Sequence, residues 1–314
     1  MENFARIVAL TAPLFLLVAI GFVLTRWGRW PRPAADALTR FVFYVAVPAL
    51  LFRLMSDFSK LPPVDARLLV AYFGGCLALF LLARLIAGRI FRLDGVAQSV
   101  FALGTIFSNN VLLGVPLARV TLGEHSLPAI SLVLVFNALT LWTLATVSVE
   151  WARKRALSWS GYFSAAKAVL ANPIVASILL GTLWGFFGPR LPGFADRTLS
   201  LVSDAAMPMS LIALGMGLAQ YGLREGWQIA GTMTALKLAG QPLAVWLIAR
   251  VLSLPPMETQ SVVLLATLPV GANVYLMSRQ FDTLSGPVAS SLVMSTALAA
   301  VTTPFALALM GPVP

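Results

Sequence analysis

Ser108-Asn109-Asn110-Val111-Leu112-Leu113-Gly114-Val115-Pro116 lies midway along an apolar run from about Gln98 to Thr121. The run is long enough to cross a bilayer. Its centre nevertheless carries two adjacent amides, a glycine and a proline, none of which a plain spanning helix needs. Proline lacks a backbone N–H and its ring clashes with the preceding turn, so the helix is expected to kink or break at Pro116. Backbone freed at that depth is tolerable only against protein or along a cavity. A second run, Glu258 to Gln280, has the same character in Leu268-Pro269-Val270-Gly271-Ala272-Asn273-Val274. Two interrupted helices in matching places of two halves point to the binding site of a transporter.

The rest of the composition agrees with a chain in lipid. Of 314 residues, 59% are hydrophobic and 11% charged, too few charges to cover a soluble globule. The net charge of +10 does not imply nucleic acid, because the basic residues sit in short clusters between apolar runs, as membrane loops do. Cys76 is the single cysteine and His125 the single histidine. That excludes an intramolecular disulfide and a histidine metal cluster, and no cofactor is implied. The first apolar run has no small-residue cleavage site after it, so it reads as an uncleaved helix.

Ten runs are each long enough to span: roughly 7–25, 38–56, 66–88, 98–121, 126–149, 168–187, 199–220, 227–252, 258–280 and 286–310. An offset of 160 places Pro13 on Pro173, Gly21 on Gly181, Gly28 on Gly188 and Pro48 on Pro208. It also sets Asn109 against Pro269 and lays five early runs over five late ones. Five is odd, so the second half must enter from the opposite face. The expected fold is an all-α integral membrane protein of ten helices in two inverted five-helix repeats, residues 1–150 and 168–314, joined by a cytoplasmic loop at 151–167. Helices 4 and 9 are expected to break at their prolines and cross at the midplane. Lys and Arg are denser on the side holding Arg26, Arg84, Arg89, Arg92 and Arg153, which makes that side cytoplasmic and puts both termini outside.

Each break exposes the N–H groups of a half-helix N-terminus, which carry positive partial charge and suit an anion. Asn109, Asn110 and Asn273 add amide donors and acceptors for a carboxylate or hydroxyl. Gly114 and Gly271 permit close approach of a ligand or of the crossing backbone. One such helix alone would read as capped and kinked; two in register favour a site. Lys237 sits near the middle of the eighth helix, where a charge costs about 2.5–3.5 kcal/mol on insertion scales. It either attracts the anion or pairs with the carbonyl end of a broken half-helix. Asn137, Thr140, Ser295 and Thr296 either line the site or bond between helices. Tyr275 and Gln241 either reach a ligand or pack. Pro48 and Pro208 correspond in the repeat and are expected to kink helices beside the crossover.

Ser108-Asn109-Asn110-x3-Gly114-x-Pro116, Tyr44-Val45-x-x-Pro48-x-Leu50-Leu51-Phe52, Asp204-Ala205-Ala206-x-Pro208 and Leu268-Pro269, in this order and spacing, resemble the auxin efflux carrier family. That family includes plant PIN-type carriers and bacterial malonate-carrier-like proteins. The resemblance covers essentially the whole chain. It implies an organic-anion carrier with crossed, broken fourth and ninth helices and an elevator-like motion. In it, helices 1, 2, 6 and 7 form a scaffold, often dimeric, and the other six move. The family's substrate-contacting asparagine falls on Asn109. Plant members have threonine where this chain has Asn110, and the long cytoplasmic loop of many of them is absent. Their third-helix acidic residue has no counterpart between Ala71 and Leu82, which argues against carboxylate-based proton coupling.

These readings converge on a secondary transporter of a small carboxylate, malonate- or auxin-like, in a bacterial-type cytoplasmic membrane. The expected partners are the anion, the bilayer and a second copy of the chain. A sodium-coupled organic-anion symporter of the bile-acid type is the rival within transport, although the core offers few oxygen ligands for sodium. An intramembrane enzyme would need a metal cluster or a nucleophile with its base, which one His and one Cys do not supply.

Overall fold

Long uncharged apolar stretches give the backbone no water to bond, so helices dominate the described residues. The computed structural model describes residues 2–28, 30–56, 64–152, 173–189, 191–221 and 226–310. Helix α1 is Glu2–Arg26. It is followed by α2 (Arg32–Phe41), a π-helical turn (Val42–Ala46) and α3 (Val47–Met55). Next come α4 (Arg67–Arg89), α5 (Gly95–Ile106), a second π-helical turn (Asn110–Gly114) and α6 (Val115–Thr121). Helix α7 runs Leu127–Ala152, α8 Pro173–Phe187 and α9 Gly193–Leu218. Then α10 (Trp227–Ala235), a third π-helical turn (Leu236–Gly240) and α11 (Gln241–Val251) form one continuous rod. The chain ends with α12 (Pro256–Thr267), α13 (Ala272–Gln280) and α14 (Ser285–Leu309). The basic stretch assigned to the connecting loop, and the first residues of the sixth run, lie outside the described residues.

Five helical stretches are long and apolar enough to cross a membrane: Phe4–Arg26, Pro33–Met55, Arg67–Arg89, Gly193–Leu218 and Ser285–Leu309. Shorter apolar helices occur at Gly95–Ile106, Asn110–Thr121 and Pro173–Phe187. Large apolar side chains face outward along these helices, among them Leu16, Leu81, Leu180 and Phe187. In water such a surface would be a liability; in lipid it is the expected one.

The break in the fourth run is not at its proline. Helix α5 ends at Ile106, and Phe107 to Asn109 are non-helical, seven residues or more before Pro116. Pro116 itself sits in the first turn of α6. The preceding π-helical turn explains the difference. Val115 N–H bonds Asn110 O, five residues back, so the turn is wide enough to take the ring and the missing donor without ending the helix. The same arrangement recurs before Pro48, where Val47 bonds Val42 O, and before Pro242, where Gln241 bonds Leu236 O. Pro48 is thus taken up by a π-helical turn in front of it. Pro208 lies inside α9, which continues through it as an α-helix.

Glycines set the closest helix crossings. A Cβ on Gly21 of α1 would fall on the backbone carbonyl of Ile212 in α9, and one on Gly215 of α9 would fall on that of Val18 in α1. A Cβ on Gly181 of α8 would lie 2.7 Å from the carbonyl oxygen of Phe52 in α3. Gly181 is Gly21 displaced by 160, and Ile212 is Phe52 displaced by 160. The α1–α9 and α8–α3 crossings thus use equivalent residues of the two halves. Small residues are what bring two helix backbones together in a membrane, where water exclusion contributes nothing. Val in place of Gly21 or of Gly181 should each lower the melting temperature of the detergent-purified protein, by a destabilisation of about 1–3 kcal/mol or more. Gly217→Ala, whose Cβ would meet nothing within 4 Å, should leave it unchanged. Equal tolerance at all three positions would rule out these crossings.

Candidate functional site

Two non-helical backbone pieces meet inside the protein. Asn109 N–H donates to Pro269 O at 2.9 Å and Gly271 N–H to Phe107 O at 2.8 Å, which pairs Ser108 with Val270 in an isolated antiparallel bridge. Each break thereby satisfies backbone groups of the other, as burial away from water requires. Gly271 is needed for this approach, because a Cβ there would stand 3.0 Å from Ser108 O and 3.0 Å from the Phe107 ring. Gly114 takes the side chain of Leu268, whose Cδ1 would be 2.7 Å from an added Cβ. Asn109 has φ −78° and ψ 62°, and Asn110 N–H bonds Ser108 O at 2.9 Å. That is an inverse γ-turn, the tightest way to start the next helix.

The helix ends left by the breaks are served from α10–α11. Lys237, in the π-helical turn, is fully buried. Its Nζ donates to Ala266 O at 2.8 Å, near the end of α12, and to Leu268 O just past it. One turn on, Gln241 Nε2 donates to Ile106 O at 2.9 Å, the last carbonyl of α5. One face of one helix thus caps both broken ends, with a cation and an amide where carbonyls carry negative partial charge. Ser295 of α14 adds an acceptor for Val270 N–H at 3.1 Å, and Thr303 donates to Thr267 O at 3.1 Å.

The opposite ends of the breaks keep polar atoms in reserve. Asn109 is 6% exposed and Asn110 3%, yet Asn109 Nδ2 and Asn110 Oδ1 have no protein partner. A buried polar atom left alone costs about 1–3 kcal/mol, so such atoms in a native fold ask for an explanation. Asn110 Nδ2 reaches Tyr72 Oη at 3.4 Å. Tyr72 Oη lies 3.5 Å from Ser108 Oγ, which in turn is 3.4 Å from Gln241 Oε1. These long contacts form a loose polar chain beside the two amides, with Cys76 Sγ 3.3 Å from Gln241 Nε2 at its edge.

Of the residues singled out by sequence, the structure gathers Asn109, Asn110, Gly114, Pro269 and Gly271 at the junction, with Lys237 beneath it. Pro116 lies a turn and a half further along. Asn273 is in the first turn of α13 and half-buried. Tyr275 turns to Tyr221, their rings 4.8 Å apart edge to face. Asn137 on α7 is 6% exposed with Oδ1 unpartnered, a third amide atom in reserve. Tyr72 and Ser108 are additions. Tyr72 left no signal beyond a hydroxyl inside an apolar helix. Among the described residues no group of three His, Cys, Asp or Glu side chains is placed to hold a metal ion.

The model of a family described as "Membrane transport protein" matches residues 6–307. A protein of Rhizobium meliloti (strain 1021) named "Putative malonate transporter" is 28% identical, over 95% of this chain and 94% of its own length. "Auxin efflux carrier component 8" of Arabidopsis thaliana is 20% identical, over 95% of each chain. "Uncharacterized transporter YfdV" of Escherichia coli (strain K12) is 24% identical, over 93% of this chain and 94% of its own. These are the names of transporters and not of enzymes.

Replacing Lys237 by methionine keeps the bulk and removes both caps. It should lower the melting temperature by a destabilisation of about 1–3 kcal/mol, because two buried carbonyls lose their donor. An unchanged melting temperature would show that α12 ends without it.

Proposed function

The chain belongs to the membrane transport protein family, and from that premise we propose that it is a secondary transporter of a small organic anion, a carboxylate of the malonate type, held where the two broken helices meet. The observation that carries this reading is the pair of unpartnered buried amide atoms, Asn109 Nδ2 and Asn110 Oδ1, at the start of a half-helix. A donor and an acceptor waiting at a positive helix end suit a carboxylate or a hydroxyl beside it. The capping pattern agrees. Lys237 is buried and donates to carbonyls of the other break, which leaves the amide end of the junction free for an anion. The malonate named for the Rhizobium meliloti relative is of this class.

In the same reading the chain forms ten membrane crossings in two inverted repeats, divided by the loop at 151–167. The equivalent contacts Gly21–Ile212 and Gly181–Phe52 support that symmetry, since a two-fold axis in the membrane plane relates one to the other. Helices α1, α2–α3, α8 and α9 form a scaffold, and a second copy of the chain docks on it. Helices α4–α7 and α10–α14 carry the anion past it by an elevator motion, with both termini on the outer side of the cytoplasmic membrane. Lys237, Gln241 and the interlocked breaks make the carrying unit rigid, which an elevator requires.

Ligand binding to the folded state raises the melting temperature by mass action. The purified protein should therefore melt higher with malonate or a related carboxylate, by the equivalent of about 2.7 kcal/mol at a concentration one hundred times Kd. Asn109→Ala should abolish that shift while still folding. A wild-type shift in the variant would move the site elsewhere, and no shift of the wild type with any carboxylate would remove the anion reading.

A further inference from the structure

Three helix ends meet around an arginine on one side of the molecule. Arg84 lies five residues before the end of α4, Ser99 four after the start of α5 and Ser148 four before the end of α7. Gly95 allows this convergence, since a Cβ on it would stand 2.8 Å from the Cβ of Ala152, the last residue of α7. Arg84 is half-buried, and its Nη1 donates to Ser99 Oγ at 2.6 Å and to Ser148 Oγ. Ser99 Oγ donates to Gly95 O at 2.8 Å, so the Ser148 hydroxyl is the donor in the 2.9 Å contact between the two serines. Both hydroxyl protons are thereby spent, and neither serine carries charge. Among the described residues no carboxylate pairs with Arg84; the ion pairs are Arg53–Asp196, Arg67–Asp65 and Arg119–Glu124. The Nε and Nη2 atoms of Arg84 have no protein partner, and neither is sealed in the interior. Leu81 and Leu85, its neighbours on α4, are exposed apolar side chains, so the guanidinium borders the lipid-facing surface.

We propose that Arg84, held by Ser99 and Ser148, is a site for a phosphate group, supplied by the headgroup of an anionic phospholipid. Depth supports this. Helix α7, with 26 residues, is about 39 Å long, close to the full thickness of a bilayer with its headgroups. Arg84, Ser99 and Ser148 lie about 6–8 Å inside their helix ends, and the headgroup layer on each side is roughly 5–8 Å thick. The guanidinium therefore stands where hydrocarbon gives way to phosphates, within snorkelling reach of them. Charge supports it too. A cation at that boundary costs free energy, and hydroxyls do not offset its charge. Joining three helices needs only a neutral donor, whereas an unpaired cation at the lipid face asks for an anion from outside. The fork of Arg84 is divided accordingly. Nη1 is spent on the serines and fixes the guanidinium, while the Nε–Nη2 edge is left with parallel N–H groups that match two oxygens of a phosphate. A choline headgroup sets a positive charge beside its phosphate, so a net anionic lipid is preferred. Twelve residues, about 18 Å of helix axis, separate Arg84 from Tyr72 beside the junction, and the inference stands independently of the carboxylate reading there.

The test uses the full chain, delipidated in detergent, and reads the melting temperature against added phosphatidylglycerol, phosphatidylcholine or inorganic phosphate. The wild type should reach half of its stabilisation with phosphatidylglycerol at about one tenth or less of the phosphatidylcholine concentration. Arg84→Gln, which removes the charge and the fork, should need about tenfold more phosphatidylglycerol or more. Ser148→Ala, which frees one hold on Nη1, should weaken phosphatidylglycerol about two- to fivefold. Arg92→Gln, at an exposed arginine just beyond α4, should behave as wild type. Phosphatidylglycerol acting equally on wild type and Arg84→Gln, or without preference over phosphatidylcholine, would overturn the proposal. So would equal losses in Arg84→Gln and Arg92→Gln, which diffuse attraction to basic residues would give. Should Arg84→Gln fail to fold, Ser148→Ala decides, and unchanged phosphatidylglycerol binding there overturns the proposal. Inorganic phosphate without effect, beside active phosphatidylglycerol, upholds the lipid as the source. Inorganic phosphate that stabilises wild type as well as phosphatidylglycerol does, and fails on Arg84→Gln, overturns the lipid source and makes the ligand a soluble phosphate.

Discussion

Two hydrogen bonds between strangers hold this structure together: Asn109 N–H to Pro269 O and Gly271 N–H to Phe107 O. A helix interrupted inside a bilayer frees donors and acceptors that lipid cannot satisfy, at several kcal/mol each. Here each interruption supplies the other's partners. Neither half of the pair is tenable alone, so the two breaks must be in register before either is stable. The glycine at 271 and the short side chain at Ser108 let the backbones come that close. Everything nearby follows from this requirement, including the caps from α10–α11 and the seryl bond from Ser295.

The caps divide the junction by sign. The carbonyl ends of α5 and α12 are met by Gln241 and Lys237, so their negative partial charge is neutralised within the protein. The amide end where the π-helical turn begins is met by Asn109 and Asn110, each with a side-chain atom to spare. A junction built this way has its carbonyl ends satisfied within the protein and two amide atoms left over at the other end. The polarity of the site is therefore a property of helix direction and of which residues α10–α11 presents, with little contribution from carboxylates.

The π-helical turns are the second organising device. Each precedes an X-Pro pair, and each widens the helix so that proline does not end it. In α10–α11 the widened turn also carries Lys237, and the residue that follows it, Gln241, projects from the same side. One distortion thus places two caps on two different broken helices. In the fourth run the turn decouples the proline from the break, which moves the break toward the asparagines and onto the partner backbone.

Much of this was legible from residues alone. Long apolar runs without charge specify helices in lipid, because a helix satisfies its backbone within one segment. Two runs with amides, glycine and proline at their centres specify interruptions, and the offset of 160 pairs those interruptions. What sequence could not locate was the break itself. Pro116 is a strong local signal, but whether a proline breaks a helix or is absorbed by a wider turn depends on what waits nearby for the freed backbone. Here that was Pro269 O, 160 residues away. The choice between the two roles of Lys237 was open for the same reason: the carbonyls of Ala266 and Leu268 come into reach only when α12 packs against α10–α11. Tyr72 carries no local mark either. Sequence determined the elements and their pairing, because these depend on periodicity and on backbone chemistry; tertiary structure decided which atom satisfies which, because that depends on distances between segments no local pattern encodes.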